Sequence, residues 1–246
     1  MTSRTPLVLL HPFPVDGSFW EPMRGHLTHD TVDRVDAPGF GQAPPEDEWS
    51  IAGFADRVAE RVRGTSPSGK AVVMGLSMGG YVALELALRH PDVLSGLVLA
   101  DTRAAADDTL AQDGRDAAIR AIREDGLDRY LDGFLPRTLA DTAPAEVRSA
   151  LDGMARRQAP AAVIAALRAL RARRDVTDQL AEISCPTLVI VGNQDALTPP
   201  DMAQVLADGI PAASLTVIDG AGHMSALEAP RTVAGHVDAL CETIVD

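Results

Sequence analysis

Three residues far apart in the chain have the types that nucleophilic hydrolysis needs: Ser77, Asp195 and His223. A serine hydroxyl is a poor nucleophile until a base takes its proton, and the base works best when a carboxylate fixes its orientation. Ser77 stands in Gly75-Leu76-Ser77-Met78-Gly79, which fits G-x-S-x-G. In that pattern small flanking residues allow a sharp, strained strand-to-helix turn. The turn lifts the hydroxyl above the end of a sheet and sets the free N–H groups of a helix N-terminus beside any developing anion. The pentapeptide alone is equally consistent with a glycine-rich β–α connection whose serine faces solvent, so the rest of the chain must decide.

His223 closes Asp219-Gly220-Ala221-Gly222-His223, a glycine-rich loop directly after an apolar run, whereas His26, His29, His90 and His236 fall in helical patterns or at their ends. His223 is therefore the candidate base. His11 also follows an apolar run, but Pro12 comes next, and we expect it to shape its own loop. Two carboxylates, Asp101 and Asp195, follow strands. Asp195 is preferred as the acid partner of His223, with Asp101 as the alternative; if Asp195 is the acid, Asp101 becomes a crevice-wall residue or a cap for the next segment, with Arg103 as partner.

These residues need elements to position them. Short apolar runs of the kind a buried strand shows occur at Pro6 to Leu10, Val32 to Asp36, Ala71 to Met74, Leu97 to Ala100, Pro186 to Val191 and Ser214 to Ile218. Helical spacing is seen from Ser18 to Leu27, from Ile51 to Val62 behind the N-cap candidate Ser50, after Ser77, and from Ala226 to about Ile244. Alternating strands and helices require a parallel sheet with right-handed crossovers, and ligands bind such sheets at the strands' C-terminal ends. His11, Ser77 and Asp101 all stand at such ends. The Val32–Asp36 strand is expected at one edge of an all-parallel sheet.

Between Thr102 and Glu182 the strand rhythm stops. Helices are expected at Thr109 to Glu124, Leu127 to Phe134, Pro144 to Arg157 and Ala161 to Arg173. We read residues 102–182 as a helical cap inserted into a core made of 1–101 and 183–246. Tyr130, Phe134, Leu135 and Met154 are expected to line the pocket beneath it. Arg168, Arg171, Arg173 and Arg174 either face an acidic substrate or, more in keeping with helix surfaces, water.

At 246 residues, 46% of them hydrophobic, the chain is long enough for one large α/β domain. Its formal charge of −13 disfavours nucleic acid and anionic membranes as partners. The apolar run Leu7 to Leu10 is too short for a signal peptide or a membrane span, so a cytoplasmic monomer or homodimer acting on a small molecule is expected. Cys185 and Cys241 have no metal-binding spacing and are expected to be small buried hydrophobes.

Taken together, the motifs resemble the α/β-hydrolase superfamily over nearly the whole chain outside the insertion. The resemblance rests on His11-Pro12-Phe13-Pro14, on Ala37-Pro38-Gly39-Phe40-Gly41 and on the serine turn from Gly75 to Gly80. It rests further on Gly192-Asn193-Gln194-Asp195 with Thr198-Pro199-Pro200, and on Gly222-His223 with Leu227-Glu228-Ala229-Pro230. It implies an oxyanion hole from the backbone N–H groups of Phe13 and Met78, and it favours Asp195 as the acid. Among members it is similar to small capped esterases, 3-oxoadipate enol-lactonases and cofactor-free perhydrolases. Two departures stand out. Pro12 replaces the usual glycine and brings no N–H, and only five residues precede Pro6, so the usual N-terminal β-hairpin is expected to be missing.

The expectation is a serine hydrolase for a small carboxylic ester or lactone, using Ser77, His223 and Asp195 and needing no metal or organic cofactor. Alternatives are C–C bond hydrolysis or perhydrolysis by the same residues, or a slow-turnover small-molecule receptor on the same scaffold.

Overall fold

The computed structural model describes residues 5–29 and 31–244. Strand β1 (Leu7–Leu10) pairs in parallel with β2 (Val32–Val35) on one side and β3 (Ala71–Leu76) on the other. Beyond β3 come β4 (Leu94–Ala100), β5 (Thr187–Gly192) and β6 (Ala213–Ile218). The order is β2-β1-β3-β4-β5-β6 and every pairing is parallel. The Val32 strand is an edge, as its sequence context predicts. Among the described residues no strand precedes β1, and residues 1–4 lie outside them.

The apolar runs explain which strands are central. β1, β3 and β5 are buried at every position, and β4 at all but one, while the two edges are largely half-buried or exposed. The chain winds outward from β1 to β2 and then returns to the other side of β1 at β3, so the crevice at the strands' C-terminal ends opens between β1 and β3.

Among the described residues ten α-helices accompany the sheet. They begin with α1 (Glu21–Arg24), α2 (Ile51–Thr65) and α3 (Met78–Arg89). Four more, α4 (Thr109–Asp125), α5 (Leu127–Phe134), α6 (Ala145–Arg156) and α7 (Pro160–Arg171), all lie between β4 and β5. The set ends with α8 (Pro200–Gly209), α9 (Ser225–Glu228) and α10 (Pro230–Thr243). Ser50 caps α2 by accepting from the Gly53 N–H at 3.0 Å. Helix α3 is buried from Met78 through Ala87, between the sheet, α2 and the α7 end of the insertion.

Three elements differ from the sequence expectation. The Ser18–Leu27 helix is a 3-10 turn (Gly17–Trp20) followed by the short α1. The expected Ala226–Ile244 helix divides at Ala229, because Pro230 has no N–H to continue the ladder. Helix α8 was not anticipated: Pro199-Pro200 reads as a break, yet proline is favoured in a first helical turn. Cys185 and Cys241, expected to be buried, are half-buried at the margin of the core and pack against it.

One close backbone approach joins β1 to α3. A Cβ on Gly79 would stand 2.0 Å from the Leu10 carbonyl oxygen, whereas one on Gly153 in α6 meets nothing within 4 Å. Gly79→Ala is therefore expected to lower stability by roughly 3 kcal/mol or more, and Gly153→Ala to raise it by about 0.5–1 kcal/mol. Chemical denaturation of both variants checks this, and equal midpoints would refute it.

Candidate active site

Ser77 occupies the turn between β3 and α3 with φ 52° and ψ −110°, a conformation rarely adopted by residues other than glycine. Its neighbours hold it there. The Ser77 N–H donates to the Ala100 carbonyl at 2.9 Å, and the Ser77 carbonyl accepts from Thr102 Oγ1 at 3.0 Å and from the Tyr81 N–H at 3.1 Å. The hydroxyl is thereby fixed above the sheet's C-terminal edge.

The structure brings the other two candidates to it. His223 Nε2 lies 2.8 Å from Ser77 Oγ, and His223 Nδ1 lies 2.8 Å from Asp195 Oδ2. Asp195 also accepts from the N–H groups of Leu197 (2.8 Å) and Thr198 (3.0 Å) and from Thr198 Oγ1 (2.8 Å). Burial favours the neutral carboxyl, but the His223 charge and these donors outweigh it and hold Asp195 below the usual carboxylate range. Burial alone would lower His223; the Asp195 carboxylate in contact with its Nδ1 reverses this and holds it above 6.5. The acid-loop motif contains Thr198, but nothing in the sequence marks these hydrogen bonds to Asp195.

Asp101 does something else. It is fully buried, with φ 45°, and its partner is not Arg103, which pairs with Asp107 at 2.7 Å. Asp101 Oδ1 accepts from the Gly192 N–H at 3.0 Å, and Oδ2 accepts from the Ser225 N–H and hydroxyl at 3.1 and 2.5 Å. It braces the loop of Asp195 to the loop of His223 and does not line the crevice. Burial, followed by the neighbouring Asp195 charge, raises its pKa well above the carboxylate range. Glu228 is a second brace, accepting from the N–H groups of Gly222 (3.0 Å), Met224 (3.3 Å) and, in the insertion, Ala140 (2.8 Å).

Phe13 lines the same cavity as Ser77, and Met78 follows Ser77 as the first residue of α3; both are buried. His11 does shape the Phe13 loop. Its Nε2 accepts from the Ala37 N–H at 2.9 Å and its Nδ1–H donates to the Pro12 carbonyl at 2.9 Å, an uncharged state that burial favours by lowering its pKa.

A cavity of about 470 Å³ opens over Ser77 and His223, within the range of small-molecule sites. One wall is aromatic: Phe13 meets Phe134 edge-on at 5.6 Å, and Tyr130 stacks on Phe134 at 5.5 Å. Tyr130 and Phe134 line the cavity as expected. Leu135 and Met154 do not; Leu135 faces a separate surface depression. Of the four arginines singled out in the sequence, Arg171 pairs with Asp116, Arg174 pairs with the buried Glu85, and Arg173 is buried against Asp107 and the Tyr81 ring. Arg168 is exposed. The arginines that line the cavity are Arg103, Arg115 and Arg137. Among the described residues no group of three or more His, Cys, Asp or Glu side chains is arranged to hold a metal ion. Nor is any helix long and apolar enough to cross a membrane.

Residues 7–236 match the model of the alpha/beta hydrolase family. The chain belongs to the α/β-hydrolase family. This α/β hydrolase is 33% identical over 223 residues to a pimeloyl-[acyl-carrier protein] methyl ester esterase of Neisseria meningitidis, covering 87% of this chain and 69% of that one. It superimposes on a thermophilic esterase from Thermogutta terrifontis, solved with malate bound, with a TM-score of 0.91 and 34% identity over 98% of this chain and 90% of that one. The enol-lactonase from Burkholderia xenovorans shares the fold, with a TM-score of 0.83 and 24% identity over 97% and 92% of the two chains.

The brace is testable without any substrate. Asp101→Ala leaves the Gly192 and Ser225 N–H groups and the Ser225 hydroxyl without their acceptor. At about 1–3 kcal/mol for each orphaned buried donor, the α/β hydrolase is expected to lose at least 2 kcal/mol in urea unfolding. A loss below 0.5 kcal/mol, an order-of-magnitude floor for a single hydrogen bond, would remove the brace.

Proposed function

We propose that this carboxylic ester hydrolase cleaves a small ester or lactone through an acyl-enzyme on Ser77. The observation that carries the reading is the continuous chain Ser77 Oγ, His223, Asp195, with both links at 2.8 Å, at the floor of the cavity. Its relatives among the esterases support an ester as the bond cleaved.

Ser77 Oγ attacks the carbonyl carbon while His223 Nε2 takes the hydroxyl proton. Asp195 holds the imidazole with Nδ1 protonated and offsets the charge that develops on the ring. The carbonyl oxygen becomes an oxyanion, for which the N–H groups of Phe13 and Met78 are the donors. Collapse breaks the bond to the leaving oxygen, which takes the proton from His223 Nε2. A water molecule then repeats the sequence on the acyl-enzyme: His223 accepts its proton, the acid leaves, and the proton returns to Ser77. In a lactone the leaving oxygen stays tethered and the product is one hydroxy acid. The helices from residue 102 to 182 act as the cap that shelters these steps.

The central test is labelling by a fluorophosphonate, which should attach to Ser77 and abolish turnover of an aryl ester. Ser77→Ala is expected to lose on the order of 10⁶ in kcat; full activity in that variant would falsify the nucleophile assignment. The acid is tested by a pair of variants. Asp195→Asn should lose on the order of 10⁴ by leaving the imidazole in the wrong tautomer, and Asp101→Asn about tenfold, an order-of-magnitude expectation for a residue that only positions. The opposite ranking transfers the acid role to Asp101.

The pH profile follows from the same contacts. Only neutral His223 can accept a proton, so kcat/KM must rise as pH rises through its pKa. Because that pKa is held above 6.5, the acidic limb should have its midpoint above 6.5. In Asp195→Asn the limb should move to lower pH, since the largest group favouring the imidazolium has lost its charge. An unmoved limb in that variant's residual activity counts against the pairing.

A further inference from the structure

The protein carries a net charge of −13, yet its cavity wall is cationic. Arg103, Arg115 and Arg137 line it, and the only acidic side chain among the lining residues is Asp107. Asp107 is already shared. Its fully buried carboxylate receives Arg103 at 2.7 Å, Arg115 at 3.2 Å and Arg173 at 2.7 Å, so three guanidiniums stand on one carboxylate. Arg137 makes no ion pair among the described residues. The wall therefore has three positive charges more than it has negative ones, counting Arg173 behind it.

Acceptors are short as well as charges. The Nε atoms of Arg103 and Arg173 are buried without a hydrogen-bond partner. Arg173 is otherwise met by the Leu170 and Ala105 carbonyls, each at 3.0 Å, and by the Tyr81 ring 4.1 Å from its guanidinium carbon. A cluster of like charges in a half-enclosed cavity raises the free energy of the empty site unless an anion joins it. The rest of the cavity sets what kind of anion. The ring wall of Phe13, Tyr130 and Phe134 takes apolar carbon, and Ser77 with His223 takes the ester. An acidic surface around a cationic cavity also keeps anions from gathering elsewhere on the protein.

We propose that the cavity of this hydrolase contains a carboxylate subsite formed by Arg137 and Arg115, with Arg103 behind them, and that its substrates are esters or lactones bearing a free carboxylate. The proposal rests on the serine-hydrolase reading for the reaction but not for binding. Arg115 and Arg137 belong to different stretches of the insertion, α4 and the 3-10 turn after α5. The subsite thus depends on how the insertion is folded, and its planar donor forks suit a carboxylate in two-point contact.

The test compares charged and neutral esters of equal length in a pH-stat. Monoethyl glutarate against ethyl pentanoate places the carboxylate on the acyl side; O-acetylglycolate against isobutyl acetate places it on the alcohol side. In at least one pair the charged ester should have a tenfold or greater advantage in kcat/KM, carried chiefly by KM and shrinking as salt is raised. Arg137→Gln and Arg115→Gln should each cut that charged-to-neutral ratio by about tenfold, a change of about 1.4 kcal/mol. Arg168→Gln, on the exposed side of α7, should leave it as it was. A ratio at or below one in both pairs, or a ratio unmoved by both substitutions, overturns the subsite while leaving the hydrolase intact. If neither these esters nor an aryl acetate is turned over, the hydrolase reading fails, and calorimetry with glutarate on the Ser77→Ala protein decides the subsite alone. Saturable binding weakened about tenfold by Arg137→Gln supports it; no saturable binding rejects it.

Discussion

The backbone of Ser77 is the constraint on which the remaining structure depends. A non-glycine residue at φ 52° is held only because three hydrogen bonds and three glycines leave it no other place. The room for this turn comes from its neighbours. A Cβ on Gly75 would meet the Gly79 carbonyl at 2.1 Å, and one on Gly80 would meet the Thr102 side chain at 2.6 Å. Helix α3 is thereby pressed onto the ends of β1 and β4, so the loops leaving those strands, carrying Phe13 and Thr102, arrive beside the serine. The geometry of one turn thus fixes how closely three strands and a helix converge, and the crevice forms where they do.

The histidine and its carboxylate come from loops that no regular element holds, and two carboxyls, buried Asp101 and half-buried Glu228, hold them instead. Asp101 joins the end of β5 to the start of α9, and Glu228 joins the His223 loop to Ala140. Each accepts three hydrogen bonds, mostly from backbone N–H groups that would otherwise be buried without partners. Because Glu228 reaches into the insertion, the position of His223 and the seating of the helices above it are mechanically one. Arg157 and Gln158 add a similar tie on the other side by donating to Asp16, next to the Phe13 loop.

How much of this was legible in the sequence depends on the range of the determining interaction. The serine turn was readable because its requirements are local: small residues at fixed offsets between a strand pattern and a helix pattern. The parallel sheet and the edge position of β2 followed from the order of elements. The function of Asp101 was not readable, since Asp101 and Asp195 both follow apolar strands; what separates them is which N–H groups face them, a property of loops brought together from 91 and 124 residues away. The cavity arginines were missed for a related reason. Periodicity gives the apolar face of a helix but not the side of the insertion that overlies the crevice, so Arg115 and Arg137 carried no mark that Arg168 and Arg171 lacked.

The two aspartates show how one type of side chain at equivalent strand ends takes two parts. They are close enough that the charge on Asp195 disfavours ionisation of Asp101. Two buried negative charges at that separation are not sustained equally, so the environment must choose. Asp195 faces the imidazole and collects two N–H groups and the Thr198 hydroxyl, all of which favour its charge. Asp101 has comparable donors but lies deeper, without a cation in contact, and its pKa moves up while that of Asp195 moves down. The negative charge is thereby concentrated on the carboxylate that touches His223.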